Sequence, residues 1–70
     1  MKVKVIMYPD ERVREITIEG KENIKVREIL RRIGLDEFGV IVKLRNRIVM
    51  EDETIRDGDV LEVYEVMSGG

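Results

Sequence analysis

The sequence has no cysteine and no histidine among its 70 residues, and its single serine, Ser68, stands within the last four positions. These absences exclude a disulfide framework, a thiol nucleophile, an imidazole base and the ligand spacing of zinc fingers. The glycines at positions 34, 39 and 58 do not have the spacing of a phosphate-binding loop. We therefore expect a protein that is not an enzyme and that binds no metal or cofactor itself.

The sequence also lacks an excess of positive charge and any long apolar stretch. It has 13 Lys plus Arg against 15 Asp plus Glu, a net charge of −2, which argues against a dedicated nucleic-acid binder. Its apolar runs reach only four residues, whereas a membrane-spanning helix needs about 20, and no secretion signal is recognisable. We expect one small domain, monomeric and cytoplasmic, without a nucleic-acid or membrane partner.

What the sequence does contain is a high content of β-branched residues arranged with period two. Ten valines and nine isoleucines, with no alanine, favour strands. Alternation of apolar and polar residues predicts strands over residues 2–8, 13–19, 40–44, 48–50 and 60–66. Turn-forming residues separate them, including Pro9, Asn46 and the Asp-Gly-Asp sequence at 57–59.

One segment has helical periodicity instead. Apolar residues at positions 26, 29, 30 and 33 form a single stripe, which predicts an amphipathic helix over residues 26–33. Gly34 follows directly and suits the left-handed conformation that ends many helices. The start of the helix is less well marked, since Lys25 is a poor N-cap and Asn23 a better one.

Two groups of charged residues are interpreted as solvated surface. The arginines at positions 27, 31 and 32 lie on the polar side of the helix, and no aromatic side chains accompany them as in an RNA-binding face. The acidic residues at 51, 52, 53, 57 and 59 lack the spacing of a calcium-binding loop. We predict no metal site there and expect Asp57 and Asp59 to shape a turn.

The elements follow the order β-β-α-β-β-β. A helix with one apolar stripe needs one face of a sheet to cover it, and the helical crossover allows the first and last strands to lie parallel in the centre of the sheet. This predicts an α+β fold of the β-grasp (ubiquitin-like) type over residues 1–66, with a mixed sheet packed on one helix. Residues 67–70 are predicted to form a flexible tail.

The sheet face turned away from the helix has a candidate docking surface. If Leu61 and Val63 face the core, alternation turns Tyr64 and Val66 outward, beside the tail. We define the outer-face patch as five residues, which we expect Lys4, Lys43 and Glu62 to border: Ile6, Ile41, Tyr64, Val66 and Met67. An apolar patch with a polar rim is typical of a protein-docking site, and the alternative is a scatter of ordinary exposed β-branched residues.

The sequence ends in Gly69-Gly70. At average glycine usage a terminal pair arises by chance in roughly one sequence in two hundred. Because glycine has no side chain, such a terminus can thread a channel that excludes a Cβ atom. A frayed chain end is the alternative interpretation.

Several segments together point to a known family. They are the helical segment VREILRRIGL at 26–35, the strand VIVKL at 40–44, Asp-Gly-Asp at 57–59, VLEV at 60–63 and Gly69-Gly70. This set resembles the ThiS/MoaD group of ubiquitin-like proteins, and most closely the short archaeal small-modifier and sulfur-carrier members. The resemblance covers essentially the whole chain and departs at Arg45-Asn46, where many relatives have Asn-Gly.

The resemblance implies that the carboxylate of Gly70 is the working group and that Gly69 provides access to it. An adenylyltransferase similar to ubiquitin-activating enzymes would join this carboxylate to AMP from MgATP. A sulfur donor would then give a thiocarboxylate, or a target lysine would give an isopeptide bond. The implied partners are this adenylyltransferase, the sulfur donor, and a sulfur-accepting biosynthetic or tRNA-thiolation enzyme or lysines of target proteins.

Two other functions remain open at this point. A MoaD-like small subunit would insert its tail into a large subunit and complete a molybdopterin synthase. A plain protein-interaction domain would have an incidental Gly-Gly end. The sequence does not choose among thiazole, molybdopterin and tRNA as the destination of the sulfur.

Overall fold

The computed structural model describes residues 1–19, 23–35 and 39–66. Within them the chain forms five strands and one helix, namely β1 (Lys2–Tyr8), β2 (Arg12–Thr17), α1 (Val26–Arg32), β3 (Val40–Leu44), β4 (Arg47–Val49) and β5 (Val60–Glu65). The predicted order β-β-α-β-β-β is confirmed. Residues 67–70 lie outside the described residues, so the division into a domain over 1–66 and a tail stays a prediction.

The five strands form one mixed sheet in the order β2-β1-β5-β3-β4. The outer strands pair with their neighbours antiparallel, whereas β1 and β5 lie parallel in the centre, with Val5 opposite Leu61 and Tyr8 opposite Tyr64. The prediction that the first and last strands meet in the centre is confirmed. Because these two strands run in the same direction, the end of β1 lies beside the end of β5, from which the chain continues to Gly69-Gly70.

The core lies between α1 and one face of the sheet. Because successive side chains of a strand point to opposite faces, one side of β1 and one side of β5 face this core, as predicted. The helix α1 contributes its apolar stripe. The buried apolar residues are Val3, Val5, Met7, Ile18, Ile24, Val26, Ile29, Leu30, Val42, Leu44, Val49, Ile55, Leu61 and Val63. In the described part of the chain no polar or charged residue is buried.

The helix begins at Val26, as predicted, and ends one residue earlier than predicted. It ends at Arg32, so that Ile33 becomes its C-cap and is only half-buried, and Gly34 takes a positive φ of 79° as expected. Its N-cap is Lys25, which makes no side-chain capping bond, while Asn23 lies outside the helix at a φ of 59°. With seven residues, α1 is too short to cross a bilayer, and no other described segment forms a helix that could.

The missing side-chain cap is replaced by contacts from a distant part of the chain. The amides of Val26 and Arg27 donate to the carbonyl oxygens of Glu53 and Glu51, both at 2.9 Å. These bonds satisfy two of the amide groups that a helix leaves free at its start. The helix therefore begins where the loop after β4 meets it.

Three strands have ends that differ from the prediction by one or two residues. β2 covers Arg12–Thr17 rather than 13–19, and the next residue, Ile18, exchanges backbone hydrogen bonds of 2.8 Å with Met1 as the last pair of the β1–β2 ladder. β4 covers Arg47–Val49 rather than 48–50, since a two-residue turn brings Arg47 directly opposite Leu44. β5 ends at Glu65, one residue earlier than predicted.

Candidate functional site

The outer face of the sheet carries four residues of the outer-face patch. Ile41 of β3 lies directly opposite Tyr64 of β5, and Ile6 lies on the same face of β1. Val66 follows β5, is 54% exposed and donates its amide to the carbonyl of Gly39 at 3.1 Å. Met67 lies outside the described residues. The geometry thus brings Ile6, Ile41 and Tyr64 together, and their role in docking stays a prediction.

The patch has a further aromatic member that the sequence interpretation missed. Tyr8 lies opposite Tyr64 across the central parallel pair, and the two rings stack with centroids 4.7 Å apart and planes 8° from parallel. The signal was present in the sequence, because Tyr8 has the same parity as Ile6 in β1. Recognising it required the β1–β5 register, which alternation alone does not supply.

Glu62 contacts this aromatic pair and lies in a row of outer-face residues that runs across the strands. The Tyr8 hydroxyl donates to Oε2 of Glu62 at 3.5 Å, a long and weak hydrogen bond. Partial burial, followed by the negative charge of Glu62, raises the pKa of Tyr8 above its ordinary value. Tyr8 therefore remains a neutral hydrogen-bond donor at physiological pH.

Lys43 lies directly opposite Glu62, and both residues border Tyr64 and Ile41 as predicted. The same row continues beyond them to apolar residues at either side of the sheet. Ile48 of β4 lies next to Lys43, and Val13 of β2 lies next to Ile6; both are more than half exposed. The apolar surface is therefore wider than the predicted patch, and the Glu62–Lys43 pair divides it.

The acidic residues near β5 shape the turn that leads into this strand, as predicted. Asp57 accepts the amide of Lys2 at Oδ1, and Asp59 accepts the amide of Arg56 at Oδ2, both at 2.7 Å. Gly58 between them has a φ of 84°, which glycine adopts without strain. Among the described residues no group of three His, Cys, Asp or Glu side chains is arranged to hold a metal ion.

Asp59 also supports the β3–β4 turn through Arg45. The Nη1 atom of Arg45 lies 2.7 Å from Oδ2 of Asp59, and its Nη2 atom lies 3.6 Å from Glu53. Arg45 has a φ of 50° and Asn46 a φ of 65°, the conformation of a type I′ hairpin turn. Arginine pays a steric cost in this region, and its ion pair with Asp59 offsets it.

The residues assigned to the chemistry, Gly69 and Gly70, lie outside the described residues. The structure does describe where the chain leaves the sheet towards them. Val66 follows the central strand β5 on the same face as Tyr64, at the edge of the outer-face patch. A partner that covers this face therefore lies next to the origin of the last four residues.

A comparison with known families identifies the chain. The model of the ThiS family matches residues 3–70. The chain belongs to the ThiS family. This confirms the ThiS/MoaD-type resemblance, and the match includes both terminal glycines.

The similar proteins agree with this membership of the ThiS family. The chain is 36% identical over 69 residues to the sulfur carrier protein TtuB of Thermus thermophilus, covering 97% of this chain and all of that protein. A structure of a putative molybdopterin converting factor, subunit 1, from Pyrococcus furiosus is 26% identical with a TM-score of 0.72, covering 94% of this chain and 98% of the other.

A ubiquitin-like protein from Caldiarchaeum subterraneum supports the fold alone. It is 18% identical, has a TM-score of 0.61, and the match covers 99% of this chain and all of that one. With one helix and a mixed five-stranded sheet among the described residues, the predicted β-grasp, ubiquitin-like fold is confirmed.

Proposed function

We propose that this member of the ThiS family is a cytoplasmic sulfur carrier whose Gly70 carboxylate is activated and converted to a thiocarboxylate. The supporting observation is the family match, which runs through Gly70, together with the 36% identity to a protein named as a sulfur carrier. The chain is then the substrate of other enzymes. Its lack of cysteine and histidine fits this role, because the chemistry needs only a terminal carboxylate from it.

The proposed reaction begins with adenylation. A carboxylate is a poor acyl donor, so its oxygen attacks the α-phosphorus of ATP, pyrophosphate leaves, and a mixed anhydride with AMP forms. A persulfide sulfur then attacks the acyl carbon and displaces AMP. Reduction of the resulting acyl disulfide by a thiol releases the thiocarboxylate. ATP, Mg²⁺ and the persulfide belong to the partner enzymes.

The sheet supplies a platform for this transfer. The outer-face patch would hold the adenylyltransferase, and four residues separate Val66 from the end of the chain. At about 3.3–3.6 Å per extended residue, the terminal carboxylate can reach roughly 14 Å beyond Val66. A partner bound to Tyr64 and Ile41 therefore lies within range of the group that it activates.

Removal of Gly70 tests the proposal. Near-attack geometry needs reacting atoms about 3–3.5 Å apart, and the truncation withdraws the carboxylate by one residue, about 3.3–3.6 Å. We expect ATP–pyrophosphate exchange with the cognate adenylyltransferase to be abolished and the free energy of unfolding to be unchanged. Gly70→Ala is the matched control, because it keeps the carboxylate in place and should retain part of the exchange. Exchange at the rate of the intact chain after truncation would refute the terminal carboxylate as the reacting group.

A docking variant complements this test. Ile41→Asp places a charge in the outer-face patch and should weaken binding to the adenylyltransferase while the protein remains folded. Unchanged affinity in calorimetry, with a normal circular dichroism spectrum, would show that the patch is ordinary surface.

A second candidate function is a small subunit that completes a molybdopterin synthase. The structural match to the protein named as a molybdopterin converting factor subunit favours it.

Conjugation of Gly70 to lysines of target proteins would start from the same adenylate. The mass of the C-terminal peptide from the native host separates these fates: a gain of about 16 Da indicates replacement of oxygen by sulfur, and an isopeptide branch indicates conjugation. Stoichiometric co-purification with a larger subunit would support the synthase.

A further inference from the structure

A groove of about 580 Å³ lies between α1 and the β3–β4 side of the sheet. Its floor is apolar and consists of the buried residues Val26, Leu30, Val42 and Val49. Ligand clefts in proteins have volumes of about 300–1,000 Å³ and are lined mainly by apolar side chains. The groove therefore has the size and lining of a binding site.

The groove arises because the chain leaves the sheet early after β4. β4 pairs with β3 only over Val42–Leu44. The following residues, which include Met50, turn towards the first turn of α1. Val40 pairs with β5 on one side, and on the other side no strand covers it in the described part of the chain. Because the amide of Val66 bonds to Gly39, the backbone N–H and C=O groups of Val40 point to this open side, whereas those of Ile41 point to β5. One wall of the groove is thus an open strand edge.

Arg27 provides an independent observation on the opposite wall. Its Nε atom is buried and has no hydrogen-bond partner among the described residues. A buried donor atom without an acceptor is costly, and such atoms in native proteins usually have a partner. Arg27 lines the groove, but its Nε atom is screened from solvent there, so an occupant supplies the missing acceptor only after this side chain shifts.

The rim of the groove is acidic. Glu51 and Asp52 both line it, are at least partly exposed, and form no ion pair with another described residue. An occupant with basic residues beside its apolar side chain complements these two carboxylates. With the positive charge of Arg27 included, the lining of the groove has a net charge of −1, which favours a basic over an acidic occupant.

We propose that the groove binds an extended segment of a partner protein that combines an apolar side chain with flanking basic residues. The segment adds to the open edge at Val40, as peptides do when they extend a sheet. Its apolar side chain rests on the floor, one of its oxygen atoms accepts a hydrogen bond from Nε of Arg27, and its basic residue faces Glu51 and Asp52. This site is distinct from the terminal carboxylate and does not depend on the sulfur-carrier proposal.

An NMR titration tests the proposal with a defined probe. The probe is an acetylated and amidated peptide of sequence lysine–valine–isoleucine–valine–threonine–lysine, added to the full chain labelled with ¹⁵N. We expect saturable shifts at the amides of Val40 and Met50 and at the Nε–H signal of Arg27. A control peptide with glutamate in place of both lysines should bind roughly tenfold more weakly.

Two variants make the test specific. Arg27→Lys keeps the positive charge but removes the Nε donor, and should weaken binding of the probe roughly tenfold. Arg31→Lys, on the exposed side of the same helix, is the matched control and should leave binding unchanged. If Arg27→Lys does not fold by circular dichroism, Met50→Lys replaces it, because Met50 is 74% exposed and the new charge should repel the basic probe.

Three results would overturn the proposal. The first is the absence of saturable shifts in the groove. The second is an unshifted Nε–H signal of Arg27 while the probe perturbs the outer face of the sheet, which would assign the peptide to the outer-face patch. The third is equal binding of the basic and acidic probes, which would remove the role of Glu51 and Asp52.

Discussion

Replacement of Leu30 by alanine tests the assignment of the core. Leu30 lies in α1, is 1% exposed and packs in the cluster that joins the helix to the sheet. Truncation of a buried leucine lowers the free energy of unfolding by roughly 2–5 kcal/mol, depending on how much of the cavity stays empty. Leu30 also borders the groove beside α1, so part of the new space opens to solvent. We therefore expect a loss in the lower half of this range, about 2–3.5 kcal/mol.

Thermal and urea denaturation measure this loss. In a domain of this size each 1 kcal/mol lowers the midpoint by about 4–8 °C, so the expected decrease for Leu30→Ala is about 10–25 °C. The dependence on urea should keep its slope, because the surface exposed on unfolding hardly changes. Ile48→Ala is the matched control, since Ile48 is 66% exposed and should change stability by no more than about 0.5 kcal/mol. Equal midpoints for the two variants would refute the assigned core face.

Three further predictions concern the turns and the outer face. Asp59→Asn should cost roughly 0.5–1 kcal/mol, because it removes the negative charge that pairs with Arg45 while an oxygen acceptor remains; a coupling energy of zero in a double-mutant cycle with Arg45→Met would contradict this. The pKa of Tyr8, followed through its ¹³Cζ shift, should lie above the ordinary tyrosine value, and Glu62→Gln should lower it; an unchanged value would exclude the influence of Glu62. Tyr64→Ala should weaken adenylyltransferase binding, because it removes one ring of the aromatic stack, and unaltered calorimetric affinity of the folded variant would argue against docking there.

Much of the fold could be predicted because its local signals agree with its tertiary contacts. The alternation of apolar and polar residues predicted β1 and β3 with the ends that the structure shows, because each strand has one face in the core. The apolar stripe from Val26 to Ile33 predicted the helix, and Gly34 indicated where it ends. The helical crossover after the first hairpin allowed the first and last strands to lie parallel, and they do so in the centre of the sheet.

The structure differs from the sequence-based predictions where contacts between residues distant in sequence determine an element's end or a side-chain pairing. No local capping residue begins α1, because carbonyl oxygens from the loop after β4 perform that function. β2 ends at Thr17, and the β1–β2 ladder closes with the pair of Ile18 and the N-terminal residue Met1. The stack of Tyr8 on Tyr64 depends on the register of two strands that are more than 50 positions apart in sequence. Local periodicity has no information on such pairings.

An exposed apolar sheet face carries a risk of self-association, and the arrangement of charges limits it. The edge strand β2 exposes Arg12 and Arg14, and the other edge strand, β4, has only three residues. Charged side chains and short edges oppose the pairing of one sheet with another. On the outer face, Glu62 and Lys43 interrupt the apolar surface, so a second copy would have to bury this pair among apolar side chains. We therefore expect a monomer that reserves the Tyr8–Tyr64 surface for a partner with complementary charges, and a concentration-dependent mass in sedimentation equilibrium would refute that expectation.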